Sequence, residues 1–141
     1  MTGRIDTRLA ELAITLPQAA APVANYVAYV QTGNLLHVSG QISNGPDGLI
    51  KGRLGETMSA EEGAKAARAC ALSLLAQAKA ALGGDLDRVT RVVKLVGFVA
   101  STPDFTDQPK VINGASDLMV EMLGDVGRHA RSAVSAAALP M

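Results

Sequence analysis

Tryptophan is absent from this 141-residue chain, and phenylalanine and tyrosine occur only twice each. With so few aromatics, a sequence that is 48% hydrophobic must build its core from Ala, Val and Leu. Small side chains let helices approach a sheet closely, which favours a layered α/β or α+β structure. Cys70 is the only cysteine, so an internal disulfide is excluded and a reducing compartment fits. Two histidines and one cysteine cannot supply a metal-spaced cluster, and neither a metal nor another cofactor is expected. Thirteen basic residues balance thirteen acidic ones. A neutral chain has no net field to gather polyanions, so a nucleic-acid partner is disfavoured. No run approaches the roughly 18 apolar residues that span a bilayer. Met1 to Leu12 has no apolar segment of signal-peptide length. The expectation is a soluble, cytoplasmic protein without a membrane partner.

The length fits a single domain over 1–141. Apolar residues at helical spacing from Ile5 to Ala13 predict a short amphipathic helix, and an Ala/Pro-rich lead-in from Leu16 to Pro22 follows it. Tyr26 to Gln31 and Leu35 to Ser39 flank Thr32-Gly33-Asn34, a hairpin signal. Asn44 to Gly48 is a strong turn. Ser59-Ala60-Glu61-Glu62 is a capping box. It opens a helix with Ala67, Ala71, Leu74, Leu75, Ala78 and Leu82 on its buried side, and Gly83-Gly84 ends that helix. The valine-rich stretch from Arg88 to Ala100 predicts a strand. Within it Gly97 signals a bulge or a close backbone approach. A second helix is capped by Thr106 or Asp107, carries Val111, Ala115, Leu118, Met119 and Met122 on its stripe, and stops at Gly124. Arg131 to Ala136 is the last strand. The order β-β-α-β-α-β, after an N-terminal helix and lead-in over 1–20, fits two helices on one face of a mixed four-stranded sheet.

Arg131 opens a strand of small side chains, from which its fork can reach a ligand carboxylate unobstructed. By itself such an arginine reads equally as a surface residue in a weak ion pair. Tyr26 reads as a half-buried packing residue or a cleft residue. Asn113 falls off the apolar stripe of its helix. His37 and His129 read as structural or surface residues, and Cys70 as a small buried hydrophobe. Ser39 is not a nucleophile elbow, because His37 stands where that motif needs glycine.

Taken in order, Ala21-Pro22 to Tyr26, Gly33-Asn34-Leu35-Leu36, Val38-Ser39-Gly40-Gln41-Ile42, the capped Ala-rich helix, Asp87-Arg88-Val89, Asp104-Phe105, Val111-Ile112-Asn113, Ala130-Arg131-Ser132 and Leu139-Pro140 resemble the Rid family. These are the YjgF-type imine and enamine deaminases, often labelled endoribonuclease L-PSP. The resemblance runs over 21–141 and implies a chorismate-mutase-like α+β fold of ferredoxin-like order, assembled as a homotrimeric barrel with clefts between subunits. It implies hydrolysis of reactive 2-imino or enamine acids to 2-oxo acids and ammonia. Position by position, Arg131 matches the arginine that pairs the substrate carboxylate, Tyr26 the cleft tyrosine, Ser39 and Gly40 the loop at its floor, and Asn113 a cleft-edge asparagine. The family's cysteine two residues after the arginine is replaced here by Ala133, which leaves its backbone carbonyl to make that contact. The family's glutamate lies on a final strand beyond the Leu-Pro pair, where this sequence ends, and the N-terminal helix marks a distinct subgroup.

An imine conjugated to a carboxylate is already electrophilic. Holding the anion and placing one water over the C=N carbon supplies much of the proximity gain, and a general acid–base group would add about two to four orders of magnitude. The visible residues supply the anchor more plainly than the acid–base group. A non-catalytic module that binds small carboxylates is therefore the second expectation. An endoribonuclease is the third, since the chain has no basic stripe for RNA.

Overall fold

The computed structural model describes residues 3–141. Helix α1 runs Arg4–Glu11, and hairpin strands β1 and β2 are Tyr29–Thr32 and Leu35–Val38. Short strands β3 (Asn44–Gly45) and β4 (Gly48–Leu49) precede helix α2, Ala60–Ala81. Strand β5 (Lys94–Ala100), helix α3 (Gln108–Leu123) and strand β6 (Ala130–Ala136) complete the order.

Ser59 caps α2 as its sequence requires: the hydroxyl accepts from the Glu62 backbone while that carboxylate returns to the Ser59 backbone. Pro109 sits in the first turn of α3, where its missing N–H costs nothing, and Gly124 at φ +64 ends the helix. The expected α3 stripe is buried throughout: Val111, Ala115, Leu118, Met119 and Met122. Helices α2 and α3 pack against each other, and their common core takes in Leu54, Leu75, Leu86, Val99 and Leu118. Gly114 allows this approach, because a Cβ there would strike the backbone of Ala64 on α2.

Strands β5 and β6 are parallel, with Leu95 beside Arg131, Gly97 beside Ala133 and Val99 beside Ser135. Alternation turns these three rows toward the helices and leaves Val96, Phe98 and Val134 on the opposite face. There they are 53%, 59% and 45% exposed. Gly97 is a close-approach position, since a Cβ would meet the Ile112 side chain from α3. That contact faces the helix layer.

The four expected strands are β1, β2, β5 and β6, but they form two separate ladders, antiparallel β1–β2 and parallel β5–β6, in place of one mixed sheet; the Asn44–Gly48 turn adds a third, antiparallel β3–β4 pair. Leu54 adds one bridge beside β5, with its N–H donating to the Ala100 carbonyl and its own carbonyl accepting from Thr102. Two strands are shorter than the sequence suggests. The first begins at Tyr29, because the ladder ends at the Tyr29–Val38 pair and one further bond from Ser39 to the Ala28 carbonyl. Tyr26 thus lies before the strand. The valine stretch enters its ladder only at Lys94, since Val92 donates instead to the Val126 carbonyl and Leu86–Arg88 forms a turn of 3-10 helix.

Helix α1 buries Ile5 and Leu9 against α3 and the Leu86–Arg88 turn. Its N-terminus is capped across the chain: the Asp87 carboxylate accepts from the backbone of Arg4 at 2.7 Å and of Ile5 at 2.8 Å. These two bonds favour the ionised carboxyl and hold it below the usual acid range. Arg8 closes the far end of α3, its Nε donating to the Glu121 carbonyl at 2.9 Å.

Candidate functional site around Arg131

Two periodicities meet at Arg131. Alternation along β6 and the residue just before it puts Arg131 and His129 on the face that looks at α3. Along α3, Pro109, Asn113 and Ser116 follow one another at the spacing of a single helix face. The guanidinium joins the two elements. Its Nη1 donates to Asn113 Oδ1 at 2.8 Å and to Ser116 Oγ at 3.1 Å, and its Nη2 donates to the Pro109 carbonyl at 3.3 Å. All three acceptors are neutral. No carboxylate among the described residues forms an ion pair with Arg131, so its charge is held but not cancelled. A guanidinium has five N–H donors, and two of Arg131's have no partner among the described residues.

Ser116 extends the network inward. Its hydroxyl lies 2.8 Å from His129 Nε2, and His129 Nδ1 lies 2.6 Å from the Gly127 carbonyl. By sequence, Arg131 and Asn113 are separate site candidates, His129 reads as a structural or surface residue, and Ser116 is not singled out. The available signal was positional: Ser116 shares the off-stripe face of Asn113, and His129 stands two residues before Arg131.

The remaining candidates fall into a second group. Ser39 Oγ donates to the Val27 carbonyl at 2.6 Å, tying the end of β2 to the residue after Tyr26. Tyr26 itself is 51% exposed, and Gly40 has open space where a Cβ would stand. No hydrogen bond joins this group to Arg131 among the described residues. Ala133 packs its methyl against the core beside Gly97, so only its backbone is available to a ligand. Two shallow hollows lie away from Arg131. One, of about 530 Å³, separates α1 from the end of α3, and the other lies between the Leu16–Ala19 lead-in and α2. No grouping of three or more His, Cys, Asp or Glu side chains suited to a metal occurs among the described residues. No described helix is long and apolar enough to cross a membrane.

An α+β chain with a parallel β5–β6 pair, and with an arginine on β6 held by the preceding helix α3, has the chorismate-mutase-like fold. Residues 6–141 match the family described as "YjgF/chorismate mutase-like, putative endoribonuclease", and the chain belongs to it. It is 55% identical to Protein TCP17 of Trypanosoma cruzi, over 99% of this chain and 88% of that protein. Among solved structures it is similar to the protein Atu1372 of Agrobacterium tumefaciens, described as of unknown function, with a TM-score of 0.90 and 48% identity over 99% of this chain and 86% of that one. It is also similar to a protein of Shewanella oneidensis described as a "putative endoribonuclease", with a TM-score of 0.91 and 34% identity over 96% of this chain and 90% of the other. Membership in this family supports a small-molecule deaminase or an endoribonuclease-like role.

Proposed function

We propose that the protein is a homotrimeric deaminase that hydrolyses 2-imino and enamine acids to 2-oxo acids and ammonia, with Arg131 pairing the substrate carboxylate. The observation that carries this reading is the uncancelled charge of a guanidinium already fixed by Asn113, Ser116 and Pro109. An anchored cation with two donors to spare suits bidentate pairing with one small carboxylate. Tyr26, Ser39 and Gly40 stand apart from Arg131 within the chain, and a neighbouring subunit would bring its own copy of that group to the cleft. The exposed Val96, Phe98 and Val134 face would be covered in the same assembly. In the reaction, an enamine first tautomerises to the imine. Water then adds to the C=N carbon, the nitrogen takes up protons, and the C–N bond breaks to release ammonia and the ketone.

The test couples the purified full chain to an amino-acid oxidase and follows decay of the released imine. Acceleration over buffer, reduced at least tenfold in Arg131→Ala, supports the reading. An unaccelerated decay with wild-type protein would overturn it. A second reading, a module that binds carboxylates without turnover, is favoured by one fact: among the described residues every group bonded to the Arg131 guanidinium is neutral, and none is a carboxylic acid. Calorimetric binding of 2-oxobutyrate without any acceleration would select it. RNA cleavage that disappears in Arg131→Ala would select the endoribonuclease role instead.

A further inference from the structure

Polarity along the chain of polar groups behind Arg131 can be worked out from its inner end. The Gly127 carbonyl can only accept, so His129 Nδ1, at 2.6 Å, carries the ring proton. In the neutral imidazole Nε2 is then an acceptor, and Ser116 Oγ, at 2.8 Å, must donate to it. The hydroxyl's one proton is thereby committed, and its lone pairs face Arg131 Nη1 at 3.1 Å. Asn113 Oδ1 takes the other Nη1 proton. With both Nη1 protons engaged and Nη2 on the Pro109 carbonyl, the guanidinium cannot turn without breaking several bonds at once.

Resting on the carboxylate-anchoring role of Arg131 argued above, we infer that Ser116 and His129 are positioning residues: the run from the Gly127 carbonyl through His129 and Ser116 fixes the Arg131 guanidinium and leaves two of its N–H donors set for one carboxylate. His129 does this at a distance. Without an acceptor at Nε2 the Ser116 hydroxyl is free to rotate, and its proton can turn toward the guanidinium, where two donors oppose each other. Ser116 in turn supplies one of the two bonds that immobilise Nη1. Preorganisation of this kind lowers the entropy lost when a ligand binds, and it acts on ground state and transition state alike. Its signature is therefore KM rather than kcat.

The experiment uses the full chain with Ser116→Ala, His129→Phe, the double variant and His129→Gln, whose side-chain carbonyl can again accept from Ser116. The expected result is a KM for imine, and a Kd for 2-oxobutyrate, raised about three- to tenfold in each single variant with kcat little changed, the scale of weakening one charge-assisted bond. The double variant should be no worse than the worse single one, because both remove the same support. His129→Gln should recover most of the loss. Nitrogen-detected spectra of Arg131 should show restricted Nη rotation in the wild type and averaging in Ser116→Ala and His129→Phe, with or without ligand. If Arg131→Ala abolishes 2-oxobutyrate binding while Ser116→Ala and His129→Phe leave Kd, KM and Nη rotation unchanged, the positioning role is wrong and the function stands. If Arg131→Ala binds as the wild type does, both fall. Additive losses of melting temperature with unchanged KM would mark the two residues as structural only.

Discussion

At the residue scale, two titrating groups report on the fold in opposite pH ranges. Partial burial on α2 pushes the Cys70 thiol up to about 11, because the half-buried thiolate loses part of its hydration. Being raised, this group contributes stability in full below the ordinary thiol range, and the contribution is lost as pH rises toward 11. At pH 8 only about one thiol in a thousand is ionised, against roughly a quarter for a free cysteine. Iodoacetamide should label the native chain at least about 100-fold more slowly than the urea-unfolded chain. Equal rates would show the thiol to be accessible. Asp87 works the other way. Its carboxyl is depressed by the Ile5 and Arg4 backbone bonds, so its contribution is present above the usual carboxylate range and lost as pH falls through it. Asp87→Ala should lower the melting temperature at neutral pH by freeing the start of α1. The gap between wild type and Asp87→Asn should shrink on acidification, which urea titrations at several pH values will show.

At the scale of elements, the contact between α2 and α3 is the most demanding. Gly114 admits no Cβ without moving the Ala64 backbone, and Gly63 lies against Leu54 and Val111. Gly114→Ala should cost about 1–3 kcal/mol, the range for overpacking, despite alanine's better helix propensity. Thermal denaturation decides this, and a stabilised variant would refute the close crossing. Helix α2 was legible to the residue at its start because a capping box is a local signal, complete within Ser59 to Glu62. The stripe of α3 was legible for the same reason. The start of β1 was not, because what sets it is the length of β2 available to pair, a property of two segments. Gln77 escaped notice too: a glutamine among apolar helix residues reads as solvated. Instead it is buried and donates to the Ala20 carbonyl at 2.8 Å, tying the lead-in to α2. In the candidate site Arg131 and Asn113 stood out singly, through the family resemblance, but their contact with each other and with Ser116 and His129 emerges only once β6 is known to face α3.

At the scale of the whole molecule, Val96, Phe98 and Val134 form an apolar face that one copy leaves in water. Three copies closing on it would make the trimer proposed above. Sedimentation of the wild type should give the trimer mass, and Phe98→Lys should shift it toward monomer with loss of imine hydrolysis. A wild-type monomer that still turns over substrate would remove the need for a shared cleft. The Arg131 anchor, by contrast, is self-contained: the guanidinium and all its partners fall between Pro109 and Arg131, inside one strand–helix–strand unit. Amide exchange should therefore show the backbone of this unit opening and closing as one, and lesions in the first hairpin should leave the anion grip intact while the catalytic output falls. Loss of activity and loss of ligand retention would then become separable phenotypes, mapping to different stretches of the polypeptide.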